Sequence, residues 1–556
     1  MARFRSFSGS SRAPLALLLI VGAVLAGCTA TRPAAQPRVP AGKPNVVMVM
    51  TDDQWLDSMR FMPNVQRILG LGGVTFDEYY ASFPLCCPSR STFLSGQLAH
   101  NNGVRHNAAP LGGYDMLDEA NTLPVWMQRA GYATSHIGKY PNGYGKTDET
   151  HVPPGWDEWR GSVDPTTYDM YGYRLNENGT MRTYGDPWVQ DPALYQTDVY
   201  RDKGIDFINR RSAAGEPFFL SLAFLAPHGE NVHGAPTNGD FFRVGRGPRP
   251  ALRHQGAFSE EQVPIDPSYG EADMSDKPRF LQEYPSIAVN TDTEITESYR
   301  LRLESLLAVD EAVQRLVDAL RANGQLENTY LLFASDNGFF FGQHRVPTGK
   351  FLPHEAAAHV PLLIRGPGLA AGTHARELST NTDLTATIAD IGQAEPTLAL
   401  DGRSLLPFAQ DPRLRTGRPL LHEAGEGAFH TPVRPGGPGG SGAPAEDVSV
   451  GLAAGAGDLD QDGTASPGPG KPRDDHSQVL DAAYEAIRTE RYLYVRYVSG
   501  AHELYDLAID PHELASKHDD ARYAEVRAFL DGRLDELQDC RGEACGDPIP
   551  PAPQPS

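Results

Sequence analysis

The sequence has no excess of basic residues. Its 556 residues carry 49 lysines and arginines against 71 aspartates and glutamates, a formal net charge of -22. Nucleic-acid phosphates are held by basic surfaces, so this balance argues against a nucleic-acid partner. It is also unhelpful for gripping other polyanions, except through a local basic pocket inside an acidic protein. A transmembrane helix takes about 20 apolar residues. The run from Leu15 to Ala26 is too short for that; behind Arg3, Arg5 and Arg12 it reads as a signal peptide. Cysteine is scarce: Cys28, Cys86, Cys87, Cys540 and Cys545 complete the set. Cys540 and Cys545 lie close enough in sequence to close a small disulfide in an oxidising compartment, and Cys87 reads as a buried thiol. The length predicts one large α/β domain and a smaller one.

What is present is a repeated grammar of strand followed by polar residues. Asn45–Met50 is a continuous apolar, β-branched run, as in a parallel strand buried on both faces. It stops at Thr51-Asp52-Asp53. Open α/β sheets place ligands at the carboxyl ends of strands, so this pair reads either as a metal site or as a helix cap. Leu123–Ala130 has a helical pattern, and Tyr132–Ile137 is a strand that delivers Gly138-Lys139. Phe218–Phe224 is a strand followed by Pro227-His228-Gly229, where His228 is either a turn histidine or an acid–base group. A helix over Glu297–Ala322 precedes the strand Tyr330–Ala334, which ends in Ser335-Asp336-Asn337-Gly338. Asp52, Asp53, Asp336 and Asn337 offer only oxygen donors, which suits calcium or magnesium and not zinc.

Val360–Gly368 adds a strand and turn and Thr382–Ile391 a helix, and the main domain is expected to run over 44–408. Residues 409–545 then form a smaller α+β unit. Within it, 425–473 is a Gly-, Pro- and Ala-rich insertion. Asp458-Leu459-Asp460-Gln461-Asp462-Gly463 imitates a calcium loop there, but Pro469 stands where the twelfth-position acid belongs, so the match reads as coincidence. Ala482–Thr489 is expected to be a helix. It leads into the hairpin Tyr492–Tyr497 and Glu503–Leu507, and a last helix spans Tyr523–Leu537. Residues 546–556 are a Pro-rich tail.

The stretch Leu85-Cys86-Cys87-Pro88-Ser89-Arg90-Ser91-Thr92-Phe93-Leu94-Ser95-Gly96 reads from a loop into a helix, with a cysteine just before the N-terminus and an arginine just inside it. Free N–H groups there suit an anion, so the chemistry is either a reactive cysteine or an oxyanion site. Cys86-x-Pro88-Ser89-Arg90 running on to Leu94-x-Gly96 resembles the signature of the formylglycine-dependent (type I) sulfatases. The Cys-Cys-Pro-Ser-Arg form, the run Lys139-Tyr140-Pro141-Asn142-Gly143-Tyr144-Gly145 and the segment His151–Trp156 are similar to its N-acetylglucosamine-6-sulfatase branch. Leu25-Ala26-Gly27-Cys28 resembles a bacterial lipobox.

The sulfatase resemblance implies an alkaline-phosphatase-like α/β sandwich, with a large, mostly parallel sheet flanked by helices and a small C-terminal antiparallel sheet. It implies that Cys86 is oxidised to formylglycine by a generating enzyme before export. It also implies that Asp52, Asp53, Asp336, Asn337 and residue 86 hold a divalent cation, usually calcium. On that pattern the hydrated aldehyde attacks the sulfur of a sulfate monoester, Arg90 holds the nucleophile, Lys139 and Lys350 face the sulfate, and His228 protonates the leaving alcohol. By itself Lys350 would read as a solvated charge. Asn142 and His344 are weaker candidates for substrate contact. Many relatives carry a histidine two positions after the lysine; here Pro141 stands there, which puts the base for sulfate elimination in doubt. The lipobox implies lipidation at Cys28, a tether over 28–43, and a lipoprotein on the outer face of the cell membrane, with simple secretion the alternative. Two other classes stay open: a phosphodiesterase or phosphonate monoester hydrolase, which would use the same metal and nucleophile frame, and, given the missing histidine, a non-catalytic lipoprotein that binds sulfated glycans.

Overall fold

The computed structural model describes residues 42–230, 247–425 and 482–556. The signal segment with Cys28, nearly all of the tether, and the Gly/Pro-rich insertion beyond Gly425 with its calcium-like loop lie outside the described residues. Ten strands among the described residues form one sheet. In spatial order they are β11 (Thr373–Ala375), β2 (Val74–Phe76), β10 (Leu362–Arg365), β9 (Thr329–Ser335), β1 (Asn45–Thr51), β8 (Phe218–Ala223), β4 (Ala133–Gly138), β5 (Glu158–Ser162), β6 (Tyr173–Glu177) and β7 (Thr180–Tyr184). The central block β9-β1-β8-β4-β5 is parallel throughout. Antiparallel neighbours flank it on both sides, at β9–β10–β2 and β5–β6–β7. Two short strands, β3 (Tyr79–Tyr80) and β12 (Ser379–Thr380), pair separately.

Every residue of β1 is buried, which explains its unbroken apolar run. The pleat sends alternate side chains to opposite layers. Val46, Met48 and Met50 join Trp126, Leu384 and Ile388, from the helices Leu123–Arg129 and Asn381–Gly392. Val47 and Val49 join Phe207, Val313, Leu316 and Leu320, from the helices Gln196–Ala214 and Val289–Ala322. The result is a three-layer α/β/α sandwich. Truncating a fully buried leucine such as Leu316 in such a layer costs about 2–5 kcal/mol.

The smaller sheet is antiparallel, in the order β13 (Leu420–Ala424), β14 (Tyr484–Arg488), β15 (Tyr492–Tyr497) and β16 (His502–Asp506). One face packs on Val526, Leu530 and Leu534 of the helix Ala524–Leu537. The other packs on Phe83, Leu85, Phe340 and Phe351 of the main body. The Cys540–Cys545 disulfide is formed.

Two expectations are corrected. The Ala482–Thr489 segment is not a helix; Tyr484–Arg488 is β14, the centre of a meander. Alanine and glutamate favour helix locally, but pairing with β13 on one side and β15 on the other overrides that preference. The long helix starts at Val289, eight residues before the expected Glu297, through a Thr/Asp/Asn-rich stretch of weak helix propensity. No helix among the described residues is long and apolar enough to cross a membrane.

Candidate active site

Cys86 is the first residue of the helix Cys86–Ser95, following the extended Leu85, rather than the residue just before it. All ten residues of this helix are buried, so no amphipathic face marked it in the sequence. Gly96 ends it at φ 67°, and a Cβ there would meet Leu400 Cδ2 at 2.6 Å. The helix start is anchored on two sides. The Ser89 hydroxyl donates to the Asp336 carbonyl, and Asn107 Oδ1 accepts from the Cys87 N–H at 3.0 Å.

The four strand ends picked out from the sequence belong to four consecutive parallel strands, β9, β1, β8 and β4. Their polar residues therefore emerge side by side at the carboxyl edge, facing Cys86. Arg90 forks across them: Nε donates to Asp336 Oδ2 at 2.9 Å, Nη2 to Asp52 Oδ2 at 3.1 Å and Nη1 to the Lys139 carbonyl at 3.3 Å. Lys139 Nζ pairs with Asp52 Oδ2. Its backbone is set by Gly138, at φ 105°, where a Cβ would collide with the Ala223 carbonyl. Asp53 takes a left-handed φ of 59° and donates its N–H to Asp336 Oδ1 at 3.1 Å. His228 Nε2 stands 3.6 Å from Asp53 Oδ2, and its Nδ1–H donates to the Gly229 carbonyl at 2.7 Å.

Lys350 arrives from a loop and not from a strand. Its Nζ pairs with Asp53 Oδ1 and lies 2.8 Å from Cys86 Sγ. The loop is fastened by Phe351 N–H to the Pro84 carbonyl at 3.0 Å, and by the hydroxyl of Tyr484, on β14, to the Phe351 carbonyl at 2.8 Å. The small sheet thus helps to place a side chain of the site.

Three carboxylates (Asp52, Asp53, Asp336) here face three cations (Arg90, Lys139, Lys350), all buried. Burial alone would raise the Asp52 carboxyl, but Lys139 and Arg90 outweigh it and hold it far below the ordinary range. Burial, and then the Asp52 carboxylate, push Asp336 up. Burial pushes the Cys86 thiol up to about 12 despite Lys139 and Lys350, so at neutral pH it is not a thiolate nucleophile. Asp52, Asp53, Cys86 and His228 offer ligand atoms that lie within 4.8 Å of one another. Asp53 Oδ2 and Asn337 Oδ1 are buried acceptors with no hydrogen-bond donor among the described residues, while Asn337 Nδ2 donates to Asp53 Oδ1 at 2.7 Å. Orphaned oxygens on an acid and an amide at the end of adjacent strands fit a hard divalent cation.

The weaker candidates separate. Asn142 Nδ2 donates to the Tyr168 hydroxyl at 2.8 Å, and its buried Oδ1 has no donor among the described residues. His344 is flanked by two carboxylates: Nδ1 is 2.7 Å from Glu271 and Nε2 is 3.7 Å from Glu513. Two residues escaped the sequence reading. Arg302, buried on the Val289–Ala322 helix, places Nη1 3.9 Å from Asp53 Oδ2 and lays its guanidinium 3.6 Å over the Phe339 ring centroid. Tyr168 sits under Lys139 and beside His228, at 4.6 and 5.1 Å between centres. A lone arginine in an amphipathic helix and a tyrosine in a short turn carry no motif.

The family model described as Sulfatase matches residues 44–394, a span that holds every site residue above. An arylsulfatase of Volvox carteri is 31% identical over 95% of this chain and 79% of its own length. An N-acetylglucosamine-6-sulfatase of Capra hircus is 30% identical over 91% of this chain and 85% of its own length. Among solved structures, a protein in complex with its substrate D-glucosamine-2-N,6-O-disulfate shares the fold, with TM-score 0.64 and 23% identity over 89% of this chain and 98% of that one. The three-layer sandwich is accordingly the alkaline-phosphatase-like architecture of these proteins. A family match over more than half of the chain, joined to near-full-length similarity with two sulfatases, leads to one conclusion: this chain belongs to the sulfatase family and is an enzyme of that class.

Proposed function

We propose that the enzyme releases sulfate from a sulfate monoester on a sugar, with Cys86 matured to formylglycine and a divalent cation, calcium before magnesium, held by Asp52, Asp53, Asp336 and Asn337. The observation that carries this reading is the setting of Cys86. Its thiol is buried at a helix start, 2.8 Å from a lysine and 3.7 Å from an aspartate, yet burial keeps it protonated. As a thiol it is inert among groups built for anion chemistry, and oxidation removes that contradiction. The similarity to an N-acetylglucosamine-6-sulfatase, together with the fold shared with a protein bound to a sulfated glucosamine, supports a sulfated sugar.

Formylglycine supplies a hydrated aldehyde whose second hydroxyl lets sulfate leave by elimination, an exit that serine lacks. The cation supplies charge that favours the deprotonated hydroxyl and offsets the sulfate oxygens. The chain does the rest. Arg90, locked by Asp52 and Asp336, is a fixed positive wall behind residue 86. Lys139 and Lys350 face the sulfate from two sides. Because His228 Nδ1–H is committed to the Gly229 carbonyl, Nε2 is the atom that exchanges the proton, giving it to the leaving alcohol.

Two measurements test this. The peptide containing Cys86, from protein made in its own host, should weigh roughly 18 Da less than the thiol form. Wild type should release sulfate from 4-nitrophenyl sulfate, and Cys86→Ala should not. A wholly unmodified thiol in active protein, or faster turnover of bis(4-nitrophenyl) phosphate, would transfer the reading to phosphoester hydrolysis. Binding of sulfated glycans without sulfate release would transfer it to a non-catalytic role.

We also infer export as a lipoprotein anchored through Cys28, after maturation by a formylglycine-generating enzyme. Cys28→Ser should move the enzyme from the membrane pellet to the soluble fraction; an unchanged distribution would leave simple secretion.

A further inference from the structure

We propose that Tyr168 is a positioning residue, a buried aromatic post that holds Lys139 and His228 in register and orients the amide of Asn142. This rests on the sulfate-ester reading above.

Three contacts meet on this one side chain, which is 2% exposed. The Lys139 ammonium lies 4.6 Å from the ring centroid, within cation–π range in a desolvated site. The His228 ring packs against it with centroids 5.1 Å apart and planes tilted by 56°. The hydroxyl accepts from Asn142 Nδ2 at 2.8 Å, which leaves Asn142 Oδ1 as a buried acceptor with no donor among the described residues. Lys139 and Asn142 follow β4, and His228 follows β8. Tyr168 is what they share.

The post is itself braced. Tyr168 ends the 3-10 turn Thr166–Tyr168 between β5 and β6. The carbonyls on either side of it, Thr167 and Asp169, both accept from the buried Gln196 Nε2 at 3.0 Å. Thr167 N–H donates to the Val163 carbonyl at 3.1 Å, and Met170 N–H to Glu230 Oε1 at 2.7 Å. These bonds fix the backbone at residues 167, 169 and 170 and with it the place of the ring. A reaction whose rate depends on a proton delivered from His228 to an alcohol does need its acid held still.

The experiment compares two esters in one enzyme. A 4-nitrophenyl leaving group departs with little help from an acid, and a sugar alcohol does not. Wild type, Tyr168→Phe and Tyr168→Leu are assayed on 4-nitrophenyl sulfate and on glucosamine 6-sulfate. The ratio of the two kcat values cancels the fraction of enzyme that is folded and matured. In Tyr168→Leu the sugar-sulfate rate should fall about 10-fold or more beyond any loss on the aryl sulfate, the size expected for a misplaced general acid. Tyr168→Phe keeps the ring and should restore that ratio to within about 3-fold of wild type, while KM for the sugar ester rises because the Asn142 amide is released. Should Tyr168→Leu not accumulate, Tyr168→Met removes the ring in the same way. An unchanged ratio in the ringless variants, or a phenylalanine variant as impaired as leucine, overturns the proposal. Wild type that releases sulfate from neither ester overturns the sulfatase reading and this proposal with it.

Discussion

Lys350 Nζ lies 2.8 Å from Cys86 Sγ although 264 residues separate the two in the chain. The contact is made by a loop fastened to Pro84 and to the small sheet, so the smaller unit reaches the chemistry through Phe351 and Tyr484. Lys350→Met should lower kcat for sulfate release by about 100- to 1,000-fold, as for loss of one preorganised charge at a developing anion. Lys350→Arg should not restore it, since a planar guanidinium cannot occupy the place of a compact ammonium between Asp53 and residue 86. Steady-state kinetics check both.

Unmatured protein provides a second test. Burial pushes the thiols of Cys86 and Cys87 up to about 12. At pH 7 both are then held as thiols. Iodoacetamide should alkylate neither cysteine in the native protein and both after unfolding. Peptide mass spectrometry before and after denaturant reads the outcome.

Cation removal should be visible without any assay of turnover. Asp53 Oδ2 and Asn337 Oδ1 lack hydrogen-bond donors among the described residues, so a cation that binds them stabilises only the folded chain. At 100 times its Kd such a ligand contributes about 2.7 kcal/mol. Calcium should raise Tm and EGTA should reverse the rise. Asn337→Ala and Asp53→Asn should shrink the shift, and Lys350→Met should not shrink it, because it removes a cation paired with Asp53 and no oxygen ligand.

Two buried histidines paired with carboxylates set a pH dependence. Burial would lower His100, but Glu423, 3.0 Å away, lifts it to about 9. Burial likewise opposes His344, and Glu271 and Glu513 lift it to about 9. The unfolded value is 6.5. A folded pKa above the unfolded one means that stability is fully present below about pH 6.5 and is lost as pH rises toward 9. Each pair contributes at most about 3 kcal/mol by this linkage. Urea midpoints should fall across that window, and Glu423→Gln should flatten the fall. A midpoint that rises from pH 6.5 to 9 would contradict both assignments.

Much of the site was legible because its pieces are local. An apolar run that stops at Asp52-Asp53, or at Asp336-Asn337, states both the strand and the cargo at its end, whatever the strand pairs with. The cysteine signature is likewise contiguous. Tyr168 and Arg302 were not legible. Nothing in the turn Thr166–Tyr168 or along a helix of ordinary amphipathic pattern says which side chain points inward at a reacting centre. The Tyr484–Arg488 segment failed for the opposite reason: its local preference was readable and pointed to helix, but neighbours on both sides decided for strand.

The sequence by itself determined the class of the protein, the candidate residues for its chemistry and the strands that present them, because these follow from short-range pattern and residue type. Only the tertiary structure decided the order β9-β1-β8-β4, which sets those four strand ends side by side. It also decided the approach of Lys350 to Cys86 and the post that Tyr168 makes under Lys139 and His228. Such contacts join residues far apart in the chain. They are selected by the burial of whole layers against one another, a property of the packed sheet that no single stretch of sequence contains.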